Sequence, residues 1–165
     1  MVDTVSEGLL AAPLVIEAVD PQHLQALALL AEAAIEARAL YPELFAHDSP
    51  PPTNGPLGER EVYLLAWRDG IAVGCGALRR IDSRTGEIRR MFVTGAARRE
   101  GVARALQARL EAEANALGNR RLLLETGLRQ KPAMALYRAS GWRRTAAWGP
   151  YVGDPTSVCF GKTLR

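Results

Sequence analysis

The sequence predicts an α/β (α+β) fold: a central mixed, mostly antiparallel sheet of about seven strands flanked by about four helices. Two apolar runs, Val62 to Trp67 and Ile71 to Ile81, are joined by Asp69-Gly70, a dipeptide suited to a hairpin turn. Thr85-Gly86 then turns the chain into a fourth strand, Glu87 to Val93, completing an antiparallel meander. Beyond it come a glycine turn, a helix and the apolar run Arg121 to Thr126. That is a βαβ crossover, which makes its two strands parallel and its hand right.

Taken in order, residues 1–12 read as a loose terminal segment, followed by a first strand, Leu14 to Ala18. Asp20-Pro21 reads as a helix start, with the carboxylate as cap and proline in the first turn. The alanine- and leucine-rich stretch Gln22 to Leu40 is helix, whole or in two pieces, until Tyr41-Pro42 interrupts it. Residues 48–60 hold a proline cluster that forbids regular structure, so they form a loop or lid. Gly74 and Gly76 inside the third strand point to a bulge or a close backbone approach. They do not form a dinucleotide fingerprint, because Arg79 stands where the third glycine belongs and no helix follows.

The helix after the fourth strand carries Ala103, Leu106, Leu110, Ala114 and Leu117, spaced as one buried face, and Gly118 ends it. Arg121 to Thr126 is apolar enough for a strand buried on both faces. Pro132 opens and Gly141 closes the last helix, and Trp142 to Trp148 and Ser157 to Thr163 are the final strands. With 165 residues and 48% apolar content, residues 1–165 are read as a single domain, able to bury ~70% of the surface exposed by the unfolded chain.

Composition narrows the function. No run is long and apolar enough to span a membrane, and the first residues lack the basic start of a secretory signal, which predicts a cytoplasmic protein. Cys75 and Cys159 read as buried thiols of a reducing compartment, without metal-ligand spacing, so no metal is expected. The net charge of +3 conceals an excess of arginine, 19 of 21 cationic residues. Arginine suits phosphate, on a cofactor or on nucleic acid, though composition bias accounts for it equally well. Without a long basic run or an aromatic-rich RNA-binding strand, nucleic acid is not the expected partner.

The stretch with the clearest chemistry is Arg98-Arg99-Glu100-Gly101-Val102-Ala103-Arg104, following the strand end Met91-Phe92-Val93. The first N–H groups of a helix lack internal partners and carry partial positive charge, which favours a phosphate. Gly101 and Ala103 leave the backbone accessible, and Arg98, Arg99 and Arg104 add cationic side chains, while Glu100 puts an anion there. Arg98-x-x-Gly101-x-Ala103 resembles the acetyl-CoA pyrophosphate loop of the GNAT family of N-acetyltransferases. Ala133-x-x-Leu136-Tyr137 followed by Gly141-Trp142 is similar to a second motif of that family, with tryptophan replacing its usual phenylalanine. The tail from Gly149 to Phe160 further resembles a bacterial subgroup of small-molecule acetyltransferases.

The resemblance implies the GNAT fold, with strands four and five splayed apart around the pantetheine arm, and acetyl-CoA as the acetyl donor. It assigns the donor to the main chain of Met91, Phe92 and Val93, to residues Arg98 to Arg104, and to Thr126, Gln130 and Tyr137. Gln130 stands where many relatives have asparagine. Tyr137 takes the position of the general acid, or else is a packing tyrosine. Glu87 takes that of a general base, or else pairs with Arg89 or Arg79. Strand alternation predicts that Glu87 shares a face with Arg89, Met91 and Val93. On the acceptor side stand Tyr41, Trp148 and Tyr151, with Glu43 and His47 either lining the pocket or forming an exposed helix-end pair. Arg79 and Arg90 either bind an anionic group of the acceptor or are surface arginines. The expected acceptor is a primary amine of a small molecule. Its alternatives are a protein lysine or N-terminus, or a module that binds acetyl-CoA without turnover. A homodimer is also compatible.

Overall fold

The computed structural model describes residues 12–46 and 48–165. In chain order they form β1 (Val15–Ala18), α1 (Leu24–Leu40), β2 (Val62–Arg68), β3 (Ile71–Arg80), β4 (Thr85–Val93), α2 (Val102–Ala116), β5 (Arg121–Gly127), α3 (Lys131–Ala139), β6 (Arg143–Thr145) and β7 (Ser157–Thr163). Short 3₁₀ turns occupy Pro42–Leu44, Gly95–Ala97 and Gly149–Tyr151. The strands make one seven-stranded sheet in the order β1-β2-β3-β4-β5-β7-β6. Only β4 and β5 are parallel; every other pair is antiparallel. Among the described residues no helix is long and apolar enough to cross a membrane. Nor can any group of three or more His, Cys, Asp or Glu residues there hold a metal ion.

Both faces of the sheet are covered. On one, Val102, Leu106 and Leu110 of α2 pack against Leu64, Leu78, Ile88, Leu122 and Phe160, with Tyr137 of α3 in the same cluster. Gly76 allows this approach, since a Cβ there would lie 2.8 Å from Met91 Sδ and 2.9 Å from Leu110 Cδ1. On the other face, Ala26 and Leu29 of α1 pack on Tyr63, Leu65, Cys75 and Ala77.

The hairpin turn takes positive φ at Asp69 (52°) and Gly70 (72°), the geometry that matches strand twist. The first helix starts later than Asp20. That carboxylate instead accepts the Gln22 N–H at 2.7 Å in a preceding turn, and His23 Nδ1 caps the helix by accepting the Gln25 N–H at 3.0 Å. The helix then runs unbroken to Leu40. Residues Arg98 to Gly101 are loop rather than helix, with Gly101 in the left-handed region (φ 82°) as the residue before α2.

Two differences from the sequence reading shape the site. Beyond Arg89 the β3–β4 register slips, so that Gly76 faces two residues of β4, and Arg90 takes φ +60°. This bulge reverses the alternation. Met91 and Val93 therefore join Ile88 on the α2 face, while Phe92 packs with the α1 cluster. Glu87 does not share a face with Met91 and Val93. The sixth strand is also shorter than Trp142 to Trp148. Trp142 is turned into the core (2% exposed), and the chain leaves β6 after Thr145 for the 3₁₀ turn at Gly149–Tyr151.

The proline-rich loop is irregular but tied down. Buried Asn54 donates to the Pro21 carbonyl and accepts from Arg90 Nε, each at 3.0 Å. Arg79 donates to the carbonyls of Pro56 (2.8 Å) and Gly55 (2.9 Å) and pairs with Glu61 at 3.1 Å. Arg79 is thus occupied in holding this loop.

Candidate active site

β4 and β5 pair only from Thr85 to Ile88 against Arg121 to Leu124. Past that point β5 continues with β7 to Gly127, whereas β4 turns away with β3 as far as Val93. The fork opens a cleft of about 380 Å³. Its walls come from Arg89, Arg90 and Met91 of β4, Glu125, Thr126 and Gly127 of β5, Gln130 and Tyr137 of α3, Tyr41, Leu44 and Phe45 after α1, and Tyr151, Asp154 and Ser157 before and on β7.

The β4 edge along this cleft lacks a neighbouring strand. Thr94 N–H bonds the Val73 carbonyl of β3 at 2.9 Å, so strand alternation turns the Val93 N–H toward the open side. At its end lies the Gly101 turn. A Cβ on Gly101 would meet no atom within 4 Å, so the space above this helix start is open. Arg99 (φ 65°) and Arg104 are exposed and have no side-chain partner among the described residues. Arg98 is committed elsewhere: Nε donates to the Val93 carbonyl at 3.0 Å, Nη2 pairs with Glu36 at 2.5 Å, and the guanidinium lies over Phe92 at 5.6 Å. It braces the corner between β4 and the turn. Glu100 is paired with Arg68 of β2, which draws its charge aside. Val102 is buried and anchors the helix start, and Ala103 is half-buried beside it. These residues fit a pyrophosphate: open N–H groups, two unengaged guanidinium groups, and the competing carboxylate neutralised.

Tyr137 is 6% exposed, with its ring 6.0 Å from both Trp142 and Phe160. Burial pushes its hydroxyl up to about 12, and that hydroxyl has no hydrogen-bond partner among the described residues although Tyr137 lines the cleft. Thr126 Oγ1 donates to Gln130 Oε1 at 3.1 Å, tying the start of α3 to the end of β5. Tyr41 is buried beneath the fork, accepts the Arg129 N–H at 2.8 Å, and carries the Arg129 guanidinium over its ring at 4.8 Å.

Glu87 does not itself line the cleft. It is 9% exposed and accepts a 3.0 Å hydrogen bond from Tyr151, with Arg89 Nε at 3.8 Å. Burial first, and then the Glu87 charge, pushes the Tyr151 hydroxyl up to about 12. Trp148 meets Tyr151 edge-on at 5.0 Å and supports it, without itself lining the cleft. Glu43 is bound to Arg129 at 2.5 Å, a contact that holds its carboxyl below the usual glutamate range and fastens the 3₁₀ turn to the β5–α3 connection. Arg90 lines the cleft, but its Nε is engaged by Asn54. His47 lies outside the described residues.

The structure also brings in residues the sequence reading did not single out for function. Glu125 is on the wall, its Oε1 accepting from Ser157 Oγ at 3.0 Å. Its only sequence signal is a carboxylate ending an apolar run, which does not say which face it takes. Gly127 is the second: a Cβ there would run into the Tyr41 hydroxyl and lie 2.7 Å from its ring Cζ.

Comparison with known proteins agrees with this geometry. Residues 26–142 match the family model described as the acetyltransferase (GNAT) family. Over 104 residues, 62% of this chain and 67% of the relative, the sequence is 45% identical to the IAA acetyltransferase of Azospirillum brasilense. A solved structure from Klebsiella pneumoniae is similar with TM-score 0.76 and 31% identity, covering 92% of this chain and 98% of that one. A GNAT family acetyltransferase from Elizabethkingia anophelis, solved with acetyl-CoA bound, shares the fold with TM-score 0.66 and 18% identity, covering 92% of this chain and 98% of that one.

Proposed function

The chain belongs to the acetyltransferase (GNAT) family, and from that premise we propose that it acetylates a primary amine of a small molecule, with donor and acceptor held together in the β4–β5 cleft. One observation carries this reading. The Tyr137 hydroxyl, at the tip of an otherwise buried side chain and without a partner among the described residues, opens into a cleft whose other wall is an unpaired strand edge leading to an open helix start. The cleft's size supports a small acceptor, since about 380 Å³ is within the range of small-molecule sites.

Acetyl-CoA supplies the acetyl group as a thioester. Backbone N–H groups at Gly101 to Arg104, with the guanidinium groups of Arg99 and Arg104, would hold its pyrophosphate, and the free edge of β4 from Met91 to Val93 would hold its arm by strand addition. The Val93 N–H is the donor placed to polarise a carbonyl oxygen in the fork. Tyr137 keeps its proton throughout the neutral range and can give it to the departing sulfur. Glu87 is set behind Tyr151 and accepts a proton relayed through that hydroxyl or through water. Thr126 and Gln130 fix the entry of α3 and with it the position of Tyr137.

Calorimetric titration of the protein and of Gly101→Glu with acetyl-CoA tests the donor site. The expected result is saturable binding that the variant loses, because a carboxylate would stand where the phosphates bind and the φ of +82° disfavours any side chain. Absence of binding by the folded unmutated protein would sink the reading. A screen of primary amines for thiol release then identifies the acceptor.

A further inference from the structure

Converting an ammonium and a thioester to an amide and a thiol removes two protons from nitrogen: R–NH₃⁺ plus acetyl thioester gives R–NH–acetyl, thiol and one H⁺. Only one of the two ends on sulfur, so the acceptor side needs a base that meets the ammonium before attack. Glu87 is placed poorly for that first contact, being nearly closed off from the cleft and bonded to Tyr151. The carboxylate on the wall is Glu125.

Its placement follows from the fork. Ile88 and Leu124 are the last paired residues of β4 and β5, so Glu125 is the first β5 residue past the split. It is two residues beyond Leu123, the partner of Glu87, and therefore points to the same face. Ser157 holds Oε1, while Oε2 has no hydrogen-bond partner among the described residues. The Tyr137 hydroxyl, which has no hydrogen-bond partner among the described residues, opens into the same cleft from an otherwise buried side chain.

We propose that Glu125 receives the acceptor as its ammonium and takes the first of the two protons, leaving the second to the Glu87–Tyr151 pair; Tyr137, having given its own proton to the sulfur, recovers one of the two, and the other leaves to solvent. This rests on the acetyltransferase reading of the cleft. It names the acceptor class as a primary alkylammonium ion that enters charged, and makes Ser157 the residue that orients the carboxylate. The groups facing Glu125 are Glu87 and Arg89 of β4, Tyr151 and Asp154 of the loop before β7, and Cys159 opposite it on β7. Burial above all, then the charges of Asp154 and Glu87, raises its proton affinity, with Ser157 and Arg89 working against them. That is the direction a proton acceptor working near neutral pH requires.

Saturation-transfer NMR with n-butylammonium, and with butan-1-ol as its uncharged analogue, tests the assignment on the full chain without acetyl-CoA. The protein should bind the ammonium in preference to the alcohol. Glu125→Gln should weaken ammonium binding about tenfold or more, as loss of a charge-assisted hydrogen bond does, and Glu125→Asp should restore part of it. Ammonium binding unchanged in Glu125→Gln, or no preference for the cation in the unmutated protein, overturns the proposal. Calorimetry with acetyl-CoA on the same samples separates the two readings. Intact acetyl-CoA binding confines any failure to Glu125, whereas its absence in the unmutated protein overturns the acetyltransferase reading as well.

Discussion

At the scale of single residues, Tyr137 and Gly127 carry the most direct consequences. Tyr137→Phe keeps the ring that packs on Trp142 and Phe160 and removes only the hydroxyl. Amine-dependent thiol release should fall by about 10²–10⁴, the usual contribution of a positioned acid. Calorimetry should find acetyl-CoA affinity little changed. Gly127→Ala forces a methyl group against Tyr41 and should destabilise the protein by about 1–3 kcal/mol, read as a lower urea midpoint. Tyr137 was legible in the sequence because its neighbours Ala133, Leu136 and Gly141 set it in a recognisable frame. Gly127 was not, since the side chain that needs its space comes from Tyr41, far away in the chain. Glu125 was not either, because an apolar strand with one carboxylate does not reveal where its partner strand departs.

Among the elements, the β4 bulge is the feature that most changes the site. It turns Arg90 into the proline-rich loop, where Asn54 binds both Arg90 and the Pro21 carbonyl. Asn54→Ala would leave these buried groups unpaired and should cost about 1–3 kcal/mol of stability, measurable by denaturant titration. Arg90 lines the cleft, and under the proposed function it stands on the amine's side, so the same variant should raise KM for the amine while KM for acetyl-CoA holds. A change confined to acetyl-CoA would contradict the role given to this loop. The strands, the meander and the βαβ crossover were all legible, since alternation, turn dipeptides and the α2 period are local signals. The bulge was not: nothing in Arg90 as a residue type announces a φ of +60°. The early end of β6 was likewise hidden, since Ala146 and Ala147 carry no turn signal.

On the scale of the molecule, the sheet is a continuous support that the chain leaves open at one fork, and polar groups gather there at a cost in stability. Glu125 shows the sign of that cost. Its proton affinity is raised in the folded state above the ordinary glutamate value of 4.5, chiefly by burial. The folded protein therefore binds this proton more tightly than the unfolded chain does. Its contribution is fully present below about pH 4.5 and is lost as pH rises through the raised folded value. Glu125→Gln should consequently raise Tm at pH 8, with the gain shrinking as pH falls toward 4.5. A gain that grew on acidification would contradict this account.

The central claim is that acetyl transfer to an amine takes place in the β4–β5 fork with Tyr137 as the acid. Thiol release from acetyl-CoA, followed across a library of primary amines with the unmutated protein and Tyr137→Phe side by side, tests it most directly. The account predicts release that depends on the amine and collapses in the variant, while both proteins bind acetyl-CoA alike. Equal release by the two proteins, or acetyl-CoA binding with no amine-dependent release at all, would contradict it.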